Sequence, residues 1–316
     1  MTAVDKPTTA RVRVPATCAN LGPGFDALGL AIGLRDDLIA RITGGGVTVR
    51  VRGEGAGELP TGADHLVVRA MDAAFDLLGE RPDGLDLECV NRIPQARGLG
   101  SSSAAIVGGV LLARALVAEG TARLDDMAAL RLAADLEGHP DNVAPCLLGG
   151  FTIAWTQPDG AHAVRLEPDT ALAPVVFVPR GRGLTAAARA ALPPTVPHGD
   201  AAATVGRAAL LVHALTAAPS CLFAATDDWL HQKYRAGVMP ETASIVNMLR
   251  NKGLPAVVSG AGPSVLVFAE SGWIPPTLTG WNVLRAPVDR TGAMVLAPPG
   301  TVKHAEQDAV ATDPAS

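Results

Sequence analysis

Apolar and polar residues alternate along a short stretch near the end of the first third of the chain. Leu85, Leu87 and Cys89 are separated by acidic residues, and this period of two is typical of a strand with one buried face. Ala104 to Val117 is instead almost continuously apolar and free of proline, which predicts a buried helix. The glycines and serines at positions 98–103 therefore lie on a predicted strand-to-helix turn.

Similar patterns divide the rest of the chain into strands and helices. Three glycines at 44–46 precede an alternating apolar run, which predicts a hairpin over Arg41–Arg52. Because strands and helices alternate in both halves, we expect an α+β architecture. Further strands are predicted at 11–14, 151–155, 164–166, 175–178, 256–259 and 265–268, and further helices at 183–191, 201–217, 219–234 and 241–251.

Two helices have recognisable ends in the sequence. Asp64 is placed to cap a helix that runs to Leu78, and Gly79 supplies its stop. Asp125 precedes a second helix through Leu136. The next residue, Glu137, is therefore expected at the end of a rigid element.

Prolines at 168 and 174 mark a boundary between two parts of the chain. We expect an N-terminal domain over residues 1–167 and a C-terminal domain over 168–300. The last stretch, 301–316, is polar and lacks periodicity, so we expect it to be disordered.

The composition of the 316 residues is that of a packed globule, with 48% hydrophobic residues and a positive mean hydropathy. The net charge of −5 favours neither nucleic acid nor an anionic membrane as partner. The four cysteines are scattered, which predicts reduced thiols and a cytoplasmic location. Residues 1–10 have no apolar core of a signal peptide, and no uncharged apolar stretch reaches membrane-spanning length, so we expect no membrane insertion.

The glycine- and serine-rich turn has the chemistry of a phosphate-binding loop. Gly98 and Gly100 let the backbone approach a ligand closely, and the helix start offers unpaired N–H groups to an anion. A plain connector with serine caps has the same composition. The P-loop signature is absent because no Gly-Lys pair occurs in the sequence.

Pro94 to Ala104 resembles the central motif of the GHMP kinases, which include galactokinase, homoserine kinase and mevalonate kinase. Ser259 to Ser264 resembles the third, glycine-rich motif of the same superfamily. Pro15 to Asp26 and Glu137 to Pro145 resemble the forms found in homoserine kinases. Four blocks in the expected order span about 250 residues, which is far more specific than any single pattern.

The resemblance implies a two-domain fold, with an N-terminal domain like ribosomal protein S5 domain 2 and a C-terminal ferredoxin-like domain. ATP and substrate are then expected between the domains. The implied reaction is ATP-dependent phosphorylation of the side-chain hydroxyl of L-homoserine, which gives O-phospho-L-homoserine for threonine biosynthesis. The resemblance also suggests a homodimer.

Kinase chemistry requires a held γ-phosphate, a metal that neutralises its charge and an aligned acceptor hydroxyl. By the resemblance, Ser102 and Glu137 match the Mg²⁺ ligands, and Ser101 and Ser103 are neighbouring phosphate donors. The expected ATP-binding segment comprises Pro94, Gln95, Ala96, Arg97, Gly98, Leu99, Gly100, Ser101, Ser102, Ser103 and Ala104.

An amino-acid substrate adds a carboxylate that needs a cation and an ammonium that needs an acceptor. Arg189 and Arg235 match the family's carboxylate-binding arginines, and Asp26 and Asp141 are candidates for the ammonium and the hydroxyl. The expected substrate-binding residues are Asn20, Asp26, His139, Asp141, Arg189, Arg235 and Gly260, and the expected catalytic residues are Glu137, Asp141 and Asn142.

The sequence leaves open the role of His139 and the identity of the group that activates the acceptor hydroxyl. His139 fits a general base, because its ordinary pKa lies near neutrality, and fits equally a structural histidine beside Pro140. Many GHMP kinases pair an aspartate with an N-terminal lysine, but the only such lysine here, Lys6, lies outside the first motif. Asp141 is therefore expected to orient the acceptor.

Two other functions compete with homoserine phosphorylation. One is another small-alcohol kinase of the superfamily, of the mevalonate or diphosphocytidyl-methylerythritol type. The other is a non-catalytic amino-acid sensor on the same fold, for which loss of Glu137 or of the serine run is expected.

Overall fold

Two sheets and ten helices make up the part of the chain that the structure describes, residues 7–183 and 185–297 of a computed structural model. The first sheet has the order β11-β1-β2-β4-β3, and β5 pairs with β2 and with β6. All its strand pairs are antiparallel except β3 with β4. The strands are β1 (Thr9–Ala19), β2 (Leu28–Thr43), β3 (Gly46–Gly53), β4 (Gly84–Asn91), β5 (Phe151–Gln157), β6 (Gly160–Leu166) and β11 (Met294–Leu296).

Five helices lie between β3 and β5 along the chain. The central one, α2, is buried along most of its length, because it packs against α1, α4 and the sheet. Gly109 allows the close approach of α1, since a Cβ there would lie 2.5 Å from the Val67 carbonyl oxygen. The helices are α1 (Leu66–Leu78), α2 (Ser101–Leu116), α3 (Gly120–Arg123), α4 (Asp126–Glu137) and α5 (Val143–Leu148).

The second sheet is antiparallel, with the order β10-β7-β9-β8. Its strands are β7 (Ala173–Pro179), β8 (Ala256–Val258), β9 (Val265–Ala269) and β10 (Trp281–Arg285). The accompanying helices are α6 (Thr185–Ala190), α7 (His198–Thr216), α8 (Leu222–Ala225), α9 (Gln232–Arg235) and α10 (Pro240–Arg250), with a 3-10 turn at Pro219–Cys221.

The second sheet buries apolar side chains on both faces. Val176 and Leu266 join the large core that fills the space around the first sheet. Their neighbours Val175 and Val265 point the other way and pack with α10 residues such as Leu249. Successive side chains of a strand alternate in direction, so one nearly continuous apolar run serves two cores.

The structure corrects two of the sequence-based elements. The hairpin predicted over Arg41–Arg52 is wrong, because β4 lies between β2 and β3. The physical reason is burial: β4 hides Leu85 and Leu87, whereas β3 is largely exposed and suits the edge of the sheet. The Asp64 cap is also wrong, since His65 caps α1 by accepting a hydrogen bond from the Val67 N–H at Nδ1.

Other predicted ends agree with the structure. Gly79 ends α1 in a left-handed conformation with φ of 67°. Asp125 caps α4, and Glu137 is its last residue. The long helix predicted over 219–234 is broken into a 3-10 turn and two short helices. No strand was predicted at β10, at β11 or over most of β2.

The expected domain boundary at 167/168 falls between β6 and β7, which belong to different sheets. The chain does not stay with the second sheet after that point. β11 pairs with β1 in the first sheet, with Arg11 opposite Leu296. The predicted tail, 301–316, and Lys6 lie outside the described residues. No helix in the described ranges is both long and apolar enough to cross a bilayer.

Candidate active site

The loop between β4 and α2 is pressed between two other parts of the chain. Gly98 and Gly100 have φ values of 70° and 69°, which favour glycine. A Cβ on Gly100 would lie 1.9 Å from Thr17 Oγ1 of β1, and one on Gly98 would lie 2.2 Å from the Ser259 carbonyl oxygen. The loop is therefore fixed by close contact with both halves of the molecule.

The serine run at the start of α2 meets the end of α4. Ser102 Oγ and Ser103 Oγ donate to Glu137 Oε1 at 2.5 and 2.9 Å. Gly100 caps α2 with backbone alone, so no side chain occupies the N–H groups of the first helical turn. A helix start of this kind presents positive partial charge to an anion.

Ser102 and Glu137 form a donor set that suits Mg²⁺. Both supply oxygen, and Mg²⁺ in nucleotide sites takes one or two protein ligands and completes its octahedron with phosphate and water. Within residues 7–183 and 185–297, no cluster of three or more His, Cys, Asp or Glu side chains can hold a metal. The two oxygens therefore fit a metal that arrives together with a polyphosphate.

The turn between α4 and α5 carries Asp141 and Asn142, both of them buried. Asp141 Oδ1 lies 2.6 Å from His139 Nδ1, and this hydrogen bond raises the pKa of His139. Asn142 Oδ1 accepts from Thr17 Oγ1 at 2.8 Å. Asp141 Oδ2 and Asn142 Nδ2 have no partner in the described chain, so one acceptor and one donor stay available to a ligand.

The loop after β1 brings an acidic group to the same region. Asn20 and Asp26 have φ values of 66° and 54°, in the left-handed region that Asn and Asp tolerate better than most residues. Asn20 Oδ1 accepts from the Asp26 N–H, and its Nδ2 donates to the Gly260 carbonyl. Arg189 of α6 donates hydrogen bonds from both Nη atoms to the Asp26 carboxylate, at 3.0 and 2.9 Å.

Among the residues that the structure describes, Arg235 is the largest fully buried side chain, at 2% exposure. Its Nε donates to the Ala188 carbonyl, and its Nη1 donates to the Gly260 carbonyl and to His231 Nδ1. Burial lowers the pKa of Arg235, and the nearby Arg189 charge adds to that effect. No acidic side chain in the described ranges forms an ion pair with this guanidinium.

His231 and Phe25 hold Arg235 in place. Arginine always donates, so His231 Nδ1 accepts and Nε2–H donates to the Gly22 carbonyl at 2.8 Å. Burial lowers the pKa of His231 and keeps it neutral. The Phe25 ring lies 5.2 Å from the Arg235 guanidinium carbon and 5.7 Å from that of Arg189. Sequence reasoning missed both roles.

One cavity of about 490 Å³ joins these groups. Among the sequence-predicted residues, it is lined by Ser102, Glu137, Asp141, Arg189 and Arg235. The remaining predicted residues on its wall are Asn20, Asp26, Gln95, Ala96, Gly98, Leu99, Gly100, Ser101, Ala104, His139, Asn142 and Gly260.

Three predicted loop residues do not line the cavity: Pro94, Arg97 and Ser103. The Arg97 guanidinium donates to the carbonyls of Gln95, Pro179 and Arg180. It therefore ties the loop to the end of β7 instead of facing a phosphate.

The cavity also has an apolar end that no sequence motif indicated. Its wall includes Leu59, Pro60 and Val67, together with His65. His65 Nε2 is buried without a partner, and burial lowers the pKa of this ring. An apolar wall suits a planar heterocycle, such as a nucleotide base.

A cavity that joins an apolar wall, an amide-rich helix start and paired charges defines a small-molecule phosphotransferase. The GHMP kinases N terminal domain model matches residues 65–150, and the GHMP kinases C terminal model matches 207–272. A homoserine kinase from Streptomyces coelicolor is 55% identical over 290 residues, which cover 90% of this chain and 94% of that protein. The chain belongs to the GHMP kinase family.

Solved structures agree with this assignment. A homoserine kinase from Cytophaga hutchinsonii has a TM-score of 0.80 at 26% identity, with coverage of 94% of this chain and 100% of that one. A putative homoserine kinase from Listeria monocytogenes has a TM-score of 0.70 at 31% identity, with 92% and 99% covered. The expected two-domain GHMP kinase fold is confirmed.

Proposed function

We propose that this protein transfers the γ-phosphoryl group of ATP to the side-chain hydroxyl of L-homoserine, with Mg²⁺, and produces O-phospho-L-homoserine. One observation carries the proposal: a single cavity joins the oxygen-rich start of α2 to a buried guanidinium, Arg235, that has no acidic partner in the described chain. Homoserine kinases from Streptomyces coelicolor and Streptomyces avermitilis are 55% and 54% identical to this chain, which supports this substrate.

At the phosphate end, the backbone N–H groups that begin α2 bind phosphate oxygens. Ser102 Oγ and Glu137 would hold Mg²⁺, which when bound would neutralise phosphate charge. The apolar wall at Leu59 and Val67 excludes water from the base.

At the acceptor end, Arg235 binds the substrate carboxylate with the N–H groups that its neutral partners leave free. Asp26 binds the substrate ammonium, and Arg189 binds the substrate carboxylate together with Arg235. Asp141 Oδ2 accepts a hydrogen bond from the acceptor hydroxyl, and Asn142 Nδ2 donates to its oxygen. His139 fixes the other oxygen of Asp141, so Asp141 orients the hydroxyl.

The two competing functions are less well supported. A 4-(cytidine 5'-diphospho)-2C-methyl-D-erythritol kinase shares the fold with a TM-score of 0.53 at only 23% identity. Its substrate, like mevalonate, has no ammonium beside a carboxylate. Such a substrate does not need both an acidic residue at Asp26 and a cationic residue at Arg235. A non-catalytic sensor has no need of the Ser102–Glu137 contact.

A phosphorylation screen tests the proposal. ADP release is followed with ATP, Mg²⁺ and either L-homoserine, mevalonate or no acceptor, and the product is identified by ³¹P NMR. We expect ADP release that depends on homoserine and a phosphate monoester resonance. Equal ADP release in all three mixtures would contradict the proposal.

We further propose that the enzyme acts in the cytoplasm as a homodimer. The four cysteines are all free, and three of them are buried, which suits a reducing compartment. Light scattering of the purified chain checks the dimer, and a monomeric mass at micromolar concentration would contradict it.

A further inference from the structure

Asp26 and Arg189 form an ion pair inside the cavity that is proposed to bind substrate. Asp26 follows β1 in the first half of the chain, and Arg189 lies on α6 in the second half. The contact is bidentate, at 2.9 and 3.0 Å, and both residues line the cavity. The ion pair therefore spans the two halves of the molecule at the acceptor end.

The two arginines of this region are held in different ways. Arg235 is buried and fixed by neutral groups, namely two main-chain carbonyls and His231. Arg189 is about half exposed, at 47% for its side chain, and in the described chain the only hydrogen-bond partner of its guanidinium is Asp26. Arg235 therefore carries a free positive charge, whereas the charge of Arg189 is already compensated.

Ligand binding breaks a protein contact at one arginine and not at the other. Arg235 Nη2 has no hydrogen-bond partner in the described chain, so a carboxylate can bind it without breaking a protein hydrogen bond. A carboxylate can bind Arg189 only after Asp26 gives up its bidentate contact. A ligand ammonium can likewise bind Asp26 only after Arg189 leaves. A half-buried charge left without its partner is unfavourable, because it has lost hydration and has gained no counterion.

We infer that the Asp26–Arg189 ion pair selects zwitterions by exchange. The substrate ammonium takes the place of Arg189 on Asp26, and the substrate carboxylate takes the place of Asp26 on Arg189, so every charge stays paired. A ligand with one charge either leaves the ion pair intact and gains nothing from Asp26 or Arg189, or breaks it and leaves one of these two residues uncompensated. The inference deepens the proposed function and rests on it.

This arrangement makes discrimination depend on a contact within the enzyme as well as on contacts with the ligand. Rejection of a competitor through an unpaired charge is a known source of specificity. A site built around charged partners rejects analogues that lack one of them far more strongly than an apolar pocket rejects a smaller ligand. Removal of one member of the ion pair should therefore relax the discrimination in a predictable direction.

The experiment compares three acceptors that have the same hydroxyl. L-homoserine has both charges, 3-aminopropanol has the ammonium alone, and γ-hydroxybutyrate has the carboxylate alone. We measure kcat/KM of each in the wild type, Arg189→Gln and Asp26→Asn. Arg182→Gln is the matched control, because Arg182 forms an exposed ion pair with Glu58 elsewhere.

The expected changes have opposite signs for different acceptors. Arg189→Gln should lower kcat/KM for homoserine by about 10- to 100-fold and raise that for 3-aminopropanol several-fold, because Asp26 is already free. Asp26→Asn should raise the value for γ-hydroxybutyrate in the same way. Arg182→Gln should change none of the three acceptors.

A uniform decrease for all three acceptors in both variants would overturn the inference, since a merely structural ion pair predicts no gain. Melting temperatures identify a folding defect, and Arg189→Lys then provides a second variant that keeps the charge but loses the bidentate contact. We expect its selectivity to lie between those of the wild type and Arg189→Gln, and selectivity equal to wild type would contradict the exchange. Absence of homoserine turnover in the wild type would count against the proposed function separately.

Discussion

The two ends of the cavity carry opposite charges, and at each end neutral groups hold the charged side chain in place. At the phosphate end, Glu137 is a carboxylate held by two serine hydroxyls. At the acceptor end, Arg235 is a guanidinium held by carbonyls and a neutral histidine. Neither has an oppositely charged partner within residues 7–183 and 185–297. Each is positioned by neutral groups and leaves its charge for a ligand, one for a cation and the other for an anion.

The strongest test of this comparison removes the charge at the phosphate end. Glu137→Gln keeps the shape and an acceptor for the serines but loses the negative charge, so kcat should fall between about 100- and 1000-fold. Excess Mg²⁺ should restore part of the rate. The measurement is ADP release across a magnesium titration. Asp135→Asn, an exposed carboxylate on the same helix, is the control and should stay near wild type. An unchanged Glu137→Gln rate would remove this residue from the site.

The matching test at the acceptor end is Arg235→Lys. Lysine keeps the charge but cannot donate to two carbonyls, to His231 and to a ligand at once. We expect KM for homoserine to rise by about 50-fold while KM for ATP stays the same. Steady-state kinetics with each substrate varied check this. Arg207→Lys on α7 is the control, and an equal loss for both substrates would indicate a folding defect.

The close packing of the phosphate loop is tested by Gly100→Ala. The new Cβ would lie 1.9 Å from Thr17 Oγ1, and the φ of 69° disfavours alanine. We expect a loss of about 2 kcal/mol in the free energy of unfolding, together with weaker ATP binding. Urea unfolding measures the first. Gly199→Ala on α7 meets no atom within 4 Å and should leave stability unchanged or higher.

A third charged group, the buried Asp36, extends the comparison to a carboxylate held by main-chain N–H groups. Arg92 N and Ile93 N donate to its Oδ1, yet burial raises the pKa of Asp36 to about 6. A raised folded-state pKa means that the protonated form stabilises the fold below about pH 4. That stabilisation is lost as the pH rises through the folded-state pKa.

Asp36→Asn removes this dependence and keeps an acceptor for the two N–H groups. Relative to this variant, the wild type should lose about 1 kcal/mol of stability between pH 5 and pH 7. Urea unfolding of both proteins at each pH provides the measurement. A difference between them that does not change with pH would show that Asp36 ionises normally.

The sequence predicted the phosphate end better than the acceptor end, and distance along the chain explains this. Gly98, Gly100 and the serines lie within one short loop, so their local pattern indicated both the turn and its ligand. Glu137 was predicted correctly at a helix end because its cap, Asp125, is also local. Metal and phosphate roles for these residues stay predictions.

The acceptor end is assembled from segments far apart along the chain, and no local sequence pattern predicts that they meet. Arg235 meets Ala188, Gly260 and Phe25, which lie 25 or more positions away along the chain. The resemblance to a known family named the two arginines, but only tertiary structure gave their different partners. The failed hairpin has the same origin, since the place of β4 between β2 and β3 is decided by burial across the sheet.

The return of β11 to the edge of β1 has a consequence for synthesis on the ribosome. Pairing of Arg11 with Leu296 joins the earliest and latest strands of the described chain. During translation, one edge of β1 stays unpaired until β11 has emerged from the ribosome. An unpaired strand edge is prone to association with other chains, so nascent copies should depend on chaperones more than a fold completed in order would.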